Sequence, residues 1–326
     1  MHLEDVNIEG FKSFSEETNM SFQPGIGVII GNNGVGKSNI LDAIVWAMGD
    51  NDLERIRCYE QEELFFAGSK DYPPASDIRV ELNIKEGVEE DAASVRLARE
   101  MDRAGRSKYY IQGNQCSLGE YKETLDRYNL GHALKTIIRQ EQINDLLQQH
   151  PVGRIRAICT LLEKEENGDT IAYLKQTIDP VFKRYMSYLM PAAQVALLTS
   201  EFDGRPGLDI EIVLKGNRVR RAHQLSGGEK SITSLALKLA LFRGLESPFF
   251  LLDEVEPSLD YTNHKAMQAF LKDVASDKQL IMITHLRSTI ELANTLHGVR
   301  TRWDGSSFMK FYFVMEERLL RLYKCC

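Results

Sequence analysis

The sequence predicts an α/β fold built around a phosphate-binding turn, and three observations predict it. The first is the run Gly31-Asn32-Asn33-Gly34-Val35-Gly36-Lys37-Ser38, which fits glycine, four residues, glycine, lysine, serine. The second is the all-apolar run Phe249–Leu252, which ends in Asp253 and Glu254. The third is a succession of apolar strand-like runs and helically spaced stretches along the chain. With 326 residues the chain can bury a large core in one or two domains. An apolar content of 43% and a charged content of 27% are those of a globular protein, and no apolar run reaches the roughly eighteen residues of a membrane span.

The elements follow in order. Residues 1–30 alternate as strands, interrupted at Gly10-Phe11-Lys12-Ser13-Phe14 and at Pro24-Gly25. The apolar run Gly27–Ile30 reads as a buried strand feeding the glycine-rich turn, and a helix runs from Ser38 to about Met48, with Gly49 as its stop. Strand, turn and helix start together converge backbone N–H groups at the positive end of a helix dipole. Gly34 and Gly36 let the chain curl without a side chain in the way, Lys37 reaches the outer phosphates, and the Ser38 hydroxyl holds magnesium. The implied ligand is a nucleoside triphosphate.

Further along, Ile78–Ile84 alternates as a half-buried strand, and residues 94–116 read as a hairpin turning at Ala104-Gly105-Arg106. Leu118–Leu130 is helical, and Thr136–Ile138 is a short β-branched strand before Arg139-Gln140. From Pro151 to Met190 the pattern is helical on both sides of Lys164-Glu165-Glu166-Asn167-Gly168-Asp169, a tight hairpin tip. Strands near Val195–Thr199 and Leu208–Leu214, a turn at Gly216-Asn217, a helix over Glu229–Gly244, the strand Phe249–Leu252, a helix around Asn263–Val274 and a strand Leu280–Thr284 complete the series.

Asp253, at the end of a buried strand, suits a magnesium ligand, and Glu254 suits a general base for water. Leu225-Ser226-Gly227-Gly228-Glu229 opens a long helix with a capping box and two glycines, a second anion-facing helix start. His285 follows Ile281-Met282-Ile283-Thr284, the end of a buried strand, and can point at a terminal phosphate. Taken singly, Gln140 and His285 read more readily as structural residues and Arg57 as a solvated charge. The five cysteines form no Cys-x-x-Cys and read as free thiols.

In this order, the phosphate loop, Gln140, Leu225–Glu229, Asp253-Glu254, Ser258-Leu259-Asp260 and His285 resemble an ABC-type ATPase. Within that class the chain resembles the head of a structural maintenance of chromosomes (SMC) protein. The stretches that carry the likeness are Gly10–Phe14, the loop through Trp46, Leu64–Pro74 and Lys215–Leu241. The resemblance implies a two-lobed α/β head with mixed sheets around the phosphate-loop helix and an antiparallel helical stub. ATP and Mg2+ are the implied ligands. Lys12, Ser13 and Gly31 through Asn39 (Asn32, Asn33, Gly34, Val35, Gly36, Lys37 and Ser38 between them) would surround the nucleotide. Ser38, Gln140 and Asp253 would hold the metal, while Glu254, with Lys37 and His285, would carry hydrolysis.

Ser226 and its neighbours Leu225, Gly227, Gly228 and Glu229 would touch the nucleotide of a second head, giving an ATP-dependent homodimer, with Ser258 and Asp260 at that interface. Arg57 matches an arginine that couples the head to DNA. Further implied are a kleisin-like subunit, a cytoplasmic, nucleoid-associated location with no membrane, and a role in chromosome condensation and segregation. A double-strand-break repair head of the same superfamily is the alternative, ahead of a transporter nucleotide-binding subunit.

The expected organisation is an N-terminal half over 1–163, a linker at 164–169, a C-terminal half over 170–314 and a tail at 315–326 that reads as an amphipathic packing segment. In SMC proteins several hundred residues of coiled coil and a hinge separate the halves; here only Lys164–Asp169 does. Either the arms have been removed or this is an arm-less relative, and without them a constitutive dimer should be lost.

The net charge of −7 excludes a surface that coats nucleic acid throughout. Two basic clusters remain, Arg96, Arg99, Arg103, Arg106 and Lys108 beside the 94–116 hairpin, and Arg218, Arg220 and Arg221. A solvated strand face explains them as well as DNA does; the resemblance favours sequence-independent DNA contacts through Arg57, Arg99, Arg103 and Lys108.

Overall fold

The computed structural model describes residues 1–89, 91–202, 204–214, 216, 218–256 and 264–314. Ser258, Asp260 and the tail at 315–326 lie outside the described residues. Two compact units are formed, one from Met1–Ile137, Ser247–Glu254 and Asp277–Cys326, the other from Ile138–Glu246 and Val255–Ser276. The two sequence halves thus intermix, since the first unit draws strands from both.

In the first unit, an antiparallel sheet runs in the order Thr18–Ser21, His2–Glu9, Asp77–Lys85, Ser94–Asp102, Ser107–Ile111 and Asn114–Cys116. A second, mixed sheet has Ile26–Ile30 at its centre. Gln279–Ile283 and Thr295–Thr301 flank it in parallel, Phe249–Asp253 lies parallel beyond Gln279–Ile283, and Ser307–Val314 is antiparallel on the outside of Thr295–Thr301. Parallel strands covered on both faces must be apolar throughout, and both Phe249–Asp253 and Gln279–Ile283 are buried at every position. The helix Lys37–Ala47 is buried from Ile40 to Ala47 and shares one core with Leu3, Val6, Val80 and Leu97 of the first sheet and Phe249, Leu251 and Ile281 of the second. It ends at Met48, and Gly49 takes a left-handed φ of 91° that a side chain would strain.

The second unit holds a three-stranded antiparallel sheet of Arg218–Arg221, Arg205–Leu214 and Gln194–Phe202. The helical hairpin is present, Pro151–Leu162 leading through the 163–167 tip, where the Asn167 side chain accepts from the Thr170 N–H at 3.1 Å, into Gly168–Tyr173 and Asp179–Leu189. Asp179–Leu189 packs on the long helix Gly227–Arg243 and on His264–Val274.

Two expectations are refined. The 94–116 hairpin is a three-stranded meander, because Gln112 (φ 52°) and Gly113 (φ 78°) make a second tight turn. The 118–130 helix breaks at Asn129, which is left-handed at φ 53°, and restarts as Leu130–Lys135. The antiparallel pair Thr295–Thr301 and Ser307–Val314 has no clear strand signal in the sequence, since His297 and Gly298 interrupt its apolar pattern; Gly298 is required there because the Phe311 ring lies where a Cβ would be.

His297 explains itself only in three dimensions. It is fully buried, with ring centroids of Phe22 and Tyr312 at 4.6 and 5.0 Å. Neither ring nitrogen has a well-formed hydrogen bond, and burial pushes its pKa down from 6.5 to about 4, only partly offset by the Ser21 backbone. Above pH 6.5 the ring is neutral in both folded and unfolded chains. Between 6.5 and 4 the unfolded chain takes up a proton that the folded chain refuses, so stability falls as pH falls and levels off below about 4. At about pH 5 the loss is roughly 2 kcal/mol, and urea midpoints at about pH 7.5 and 5 should diverge less in a His297→Leu variant than in the parent.

Among the described residues no helix is long and apolar enough to cross a membrane. Cys58, Cys116 and Cys159 are free thiols, as expected.

Candidate phosphate-binding site

The site grows from the end of the strand Ile26–Ile30. A Cβ on Gly31 would lie 2.5 Å from the Val299 carbonyl oxygen, and one on Gly36 would lie 2.5 Å from both the Ser13 and Ser307 hydroxyls. Gly36 also has φ 92°, so only glycine fits that bend. Ser307 fixes the turn from outside, its N–H donating to the Ser13 carbonyl at 2.7 Å and its hydroxyl to the Val35 carbonyl at 2.8 Å. Asn39 donates to the Ser13 hydroxyl at 2.8 Å. The result is a cavity of about 330 Å3 lined by Asn33, Gly34, Gly36, Lys37, Ser38, Asn39, Arg57 and Glu254. Nothing stands within 4 Å of the Cβ position at Gly34, so that face of the turn is open.

Lys37 is only 5% exposed, and its ammonium lies 3.0 Å from the Gly31 carbonyl, 3.1 Å from the Asn32 carbonyl and 3.5 Å from Glu254 Oε1. His285 Nε2 closes the cluster, 3.2 Å from Lys37 Nζ and 3.0 Å from Glu254 Oε1. Glu254 adopts φ 51°, a left-handed conformation costing about 1–3 kcal/mol in a non-glycine residue. Its N–H donates to the Ile283 carbonyl at 3.0 Å, which ties the strained residue to the neighbouring parallel strand. Ser38 Oγ donates to Asp253 Oδ1 at 3.1 Å. One hydroxyl and one carboxylate suit a magnesium ion that takes its other ligands from phosphate and water, and no cluster of three or more His, Cys, Asp or Glu residues competes among the described residues.

Lys37, Ser38, Asp253, Glu254 and His285, read separately from the sequence, therefore meet within one unit. Lys12 is turned away from the turn, onto Asp42 of the phosphate-loop helix at 2.7 Å. Arg57 reaches the same Asp42 oxygen at 2.6 Å. Asp42 is fully buried and had no sequence signal beyond a charge inside an apolar helix.

Gln140 and the Leu225–Glu229 segment belong to the other unit. Gln140 is exposed and opens a single helical turn, Gln140–Gln142, that the long helix Gly227–Arg243 grips. Lys238 donates to the Gln142 carbonyl, Ser234 to the Ile143 carbonyl, and Asn144 to Ser231 at 3.4 Å. Ser231, Ser234 and Lys238 fall on one helical face, but nothing local in the sequence marks their target. At the start of that helix Glu229 Oε2 accepts from the Ser226 N–H and hydroxyl, both at 2.8 Å, and from Arg220 at 3.0 Å. Burial alone would raise the Glu229 pKa, yet these donors hold it below the usual carboxylate value. No atom lies within 4 Å of a Cβ position on Gly227 or Gly228, so this helix start is open to approach.

The basic clusters fare differently. Arg99 is not at the surface and cannot meet DNA. It is 4% exposed, donates to the Trp46 and Asp50 carbonyls at 3.0 and 3.2 Å and to Asn51 at 2.6 Å, and stacks 4.4 Å from the Trp46 ring centroid. It thereby closes the C-terminal end of the phosphate-loop helix. Arg103 is exposed but tied to the Ala75 carbonyl at 2.7 Å, and Lys108 faces Glu100 at 3.9 Å. Arg96 and Arg106 pair with Glu81 and Asp102, and Arg221 with Glu211.

Comparison with known proteins identifies the chain. The family model described as RecF/RecN/SMC N terminal domain matches residues 2–307. The chromosome partition protein Smc of Mycobacterium tuberculosis is 33% identical over 314 residues, covering 94% of this chain and 24% of that protein. The protein of the same description from Mycolicibacterium paratuberculosis is 33% identical over 157 residues, 47% of this chain and 13% of its own length. The chain thus spans a quarter or less of these curated relatives. Among solved structures, an Smc head bound to the C-winged helix domain of ScpA superposes with a TM-score of 0.84 at 28% identity, covering 98% of this chain and 100% of that one. The SMC head domain from Thermotoga maritima gives 0.70 at 30% identity over 97% and 100%. On these grounds the chain belongs to the RecF/RecN/SMC N-terminal domain family, and its fold is that of an SMC head domain.

Proposed function

We propose that this chain is an ABC-type ATPase head that binds ATP with Mg2+ in the 330 Å3 cavity, engages a second head through that nucleotide, and hydrolyses it in chromosome organisation and segregation. The observation that carries the reading is the convergence of Lys37, the Ser38–Asp253 pair and the Glu254–His285 pair at adjoining strand ends around that cavity. Lys37 binds and neutralises the outer phosphates, exchanging its contact with Glu254 for theirs. Glu254 accepts a proton from the attacking water, with His285 orienting the carboxylate. Ser38 and Asp253 would hold the magnesium ion, which would supply charge neutralisation at the phosphate oxygens.

The open helix start at Ser226-Gly227-Gly228 supports contact with the nucleotide of a second copy, since nothing stands at the Cβ positions of its two glycines and a helix start is a positive dipole end. A kleisin-like partner is inferred from the relative crystallised with a domain of ScpA. The pairing of Arg96, Arg106 and Lys108 with acids argues that DNA contacts by one head are weak, and Arg103, exposed and tied to a carbonyl instead of an acid, is the candidate best placed for one.

Light scattering of a Glu254→Gln variant tests the reading. A monomer is expected alone and a dimer with ATP and Mg2+, because the amide keeps the phosphate contacts and blocks turnover. Ser226→Arg on that background should restore the monomer. A Glu254→Gln chain that binds ATP yet stays monomeric in both conditions overturns the ATP-bridged dimer.

A further inference from the structure

Asp42 sits on the phosphate-loop helix five residues beyond Lys37, and its fully buried carboxylate is where two loops converge. A single oxygen, Oδ2, accepts from Lys12 Nζ at 2.7 Å and from Arg57 Nη2 and Nε at 2.6 and 3.2 Å. Lys12 also donates to the carbonyl of Ile56, the residue before Arg57. Both cations stand on left-handed backbone, Lys12 at φ 49° and Arg57 at φ 59°, a conformation that lysine and arginine rarely adopt. Two strained loops therefore aim their charges at one buried acid. The pair is asymmetric. The Lys12 side chain is 10% exposed, whereas that of Arg57 is 38% exposed and lines the phosphate-loop cavity.

We propose that Asp42 is a positioning residue. It fixes the Arg57 guanidinium at the rim of the nucleotide cavity, where the exposed part of that side chain is open to a phosphate. The inference rests on the nucleotide reading of this cavity and adds the residue that presents Arg57 to it. Asp42 does not touch the nucleotide; it acts only through Arg57, with Lys12 bracing the 52–58 loop from behind. A structural ion pair alone would support the helix equally for every function of the cavity, and this distinguishes the two readings.

The test is a double-mutant cycle read by equilibrium binding of a fluorescent ATP analogue with Mg2+ to the full chain, with thermal melts recorded for each variant. Asp42→Asn keeps the shape and one acceptor. It should weaken binding about 5- to 10-fold in the parent and less than about twofold in an Arg57→Ala background, a coupling of the size seen between contacting residues. Asp42→Glu, which keeps the charge, should recover part of the loss. Equal weakening in both backgrounds, tighter binding, or no change in the parent overturns the proposal. Should Asp42→Asn not fold, Lys12→Met takes its place in the cycle with the same expected sign and the same overturning results. Lys37→Ala is the control for the underlying reading. If the parent binds no analogue, or Lys37→Ala binds as the parent does, the nucleotide reading itself fails. If that control behaves as expected, the cycle judges Asp42 alone.

Discussion

Replacing Glu254 by Gln is expected to lower ATP turnover by about 10²- to 10⁴-fold, the range that a positioned general base supplies. In barrier height this is roughly 3–5 kcal/mol. The expectation comes from the placement of the side chain. Glu254 follows the last residue of a fully buried strand, is held in left-handed backbone by its N–H bond to Ile283, and aims Oε1 at both Lys37 and His285. Strain of that kind persists where the surrounding structure over-determines it. The amide is nearly isosteric and keeps a hydrogen bond to His285, but it cannot take a proton from water. Nucleotide affinity should therefore remain within a few-fold while single-turnover hydrolysis collapses. His285→Ala should cost less, because the imidazole orients the carboxylate rather than replacing it. A Glu254→Gln chain that still turns over within about fivefold of the parent would show that the base is another group.

The parts of this site that were legible in the sequence are those whose chemistry is local. Gly31–Ser38 carries its own geometry: two of its glycines sit where a Cβ would strike Val299, Ser13 or Ser307, and the lysine and serine follow at fixed spacing. Asp253 and Glu254 could be found because a parallel strand buried on both faces reads as an unbroken apolar run, and an acid at its end stands out. What escaped depends on contacts between distant residues. Lys238 meets the Gln142 carbonyl across 96 positions, and Lys12 meets Asp42 across 30. Arg99 is the instructive miss. Counted with its neighbours it joined a basic patch, but its strand alternates, and Val95, Leu97, Arg99 and Met101 share the buried face. Period two alone would have placed its charge inside, against Trp46 and the carbonyls at the end of the phosphate-loop helix. The Thr295–Thr301 strand was hidden for the opposite reason, since a buried histidine and a glycine opposite Phe311 look polar and flexible until their neighbours are known.

Arg154→Met is expected to destabilise the chain by about 3–5 kcal/mol, the cost of removing one partner from a buried charged network. Arg154 is 2% exposed and lies on the helix Pro151–Leu162. Its guanidinium donates to the Leu146 carbonyl at 3.1 Å, Leu147 at 3.2 Å, Gln149 at 2.9 Å and Leu208 at 2.6 Å, and to the Asp209 carboxylate at 3.1 Å. Burial lowers its pKa, with Asp209 pulling the other way, but a guanidinium stays charged at any physiological pH. Methionine fills much of the volume and leaves four carbonyls and a carboxylate without this donor, and lysine cannot serve acceptors spread around a planar fork, so Arg154→Lys should recover little. Three of those carbonyls, of Leu146, Leu147 and Gln149, close the same segment that Lys238, Ser234 and Ser231 hold by Gln142, Ile143 and Asn144. The stretch from Gln140 to Gln149 is thus gripped at both ends, by the long helix near its start and by Arg154 near its end. Beyond the lower urea midpoint, amide hydrogen exchange over 140–149 should rise in Arg154→Met more than over the phosphate-loop helix, which belongs to the other unit. A uniform rise across both units would mean that Arg154 supports global stability only, and an unfolding free energy within about 1 kcal/mol of the parent's would mean that its bonds are replaced by water at little net cost.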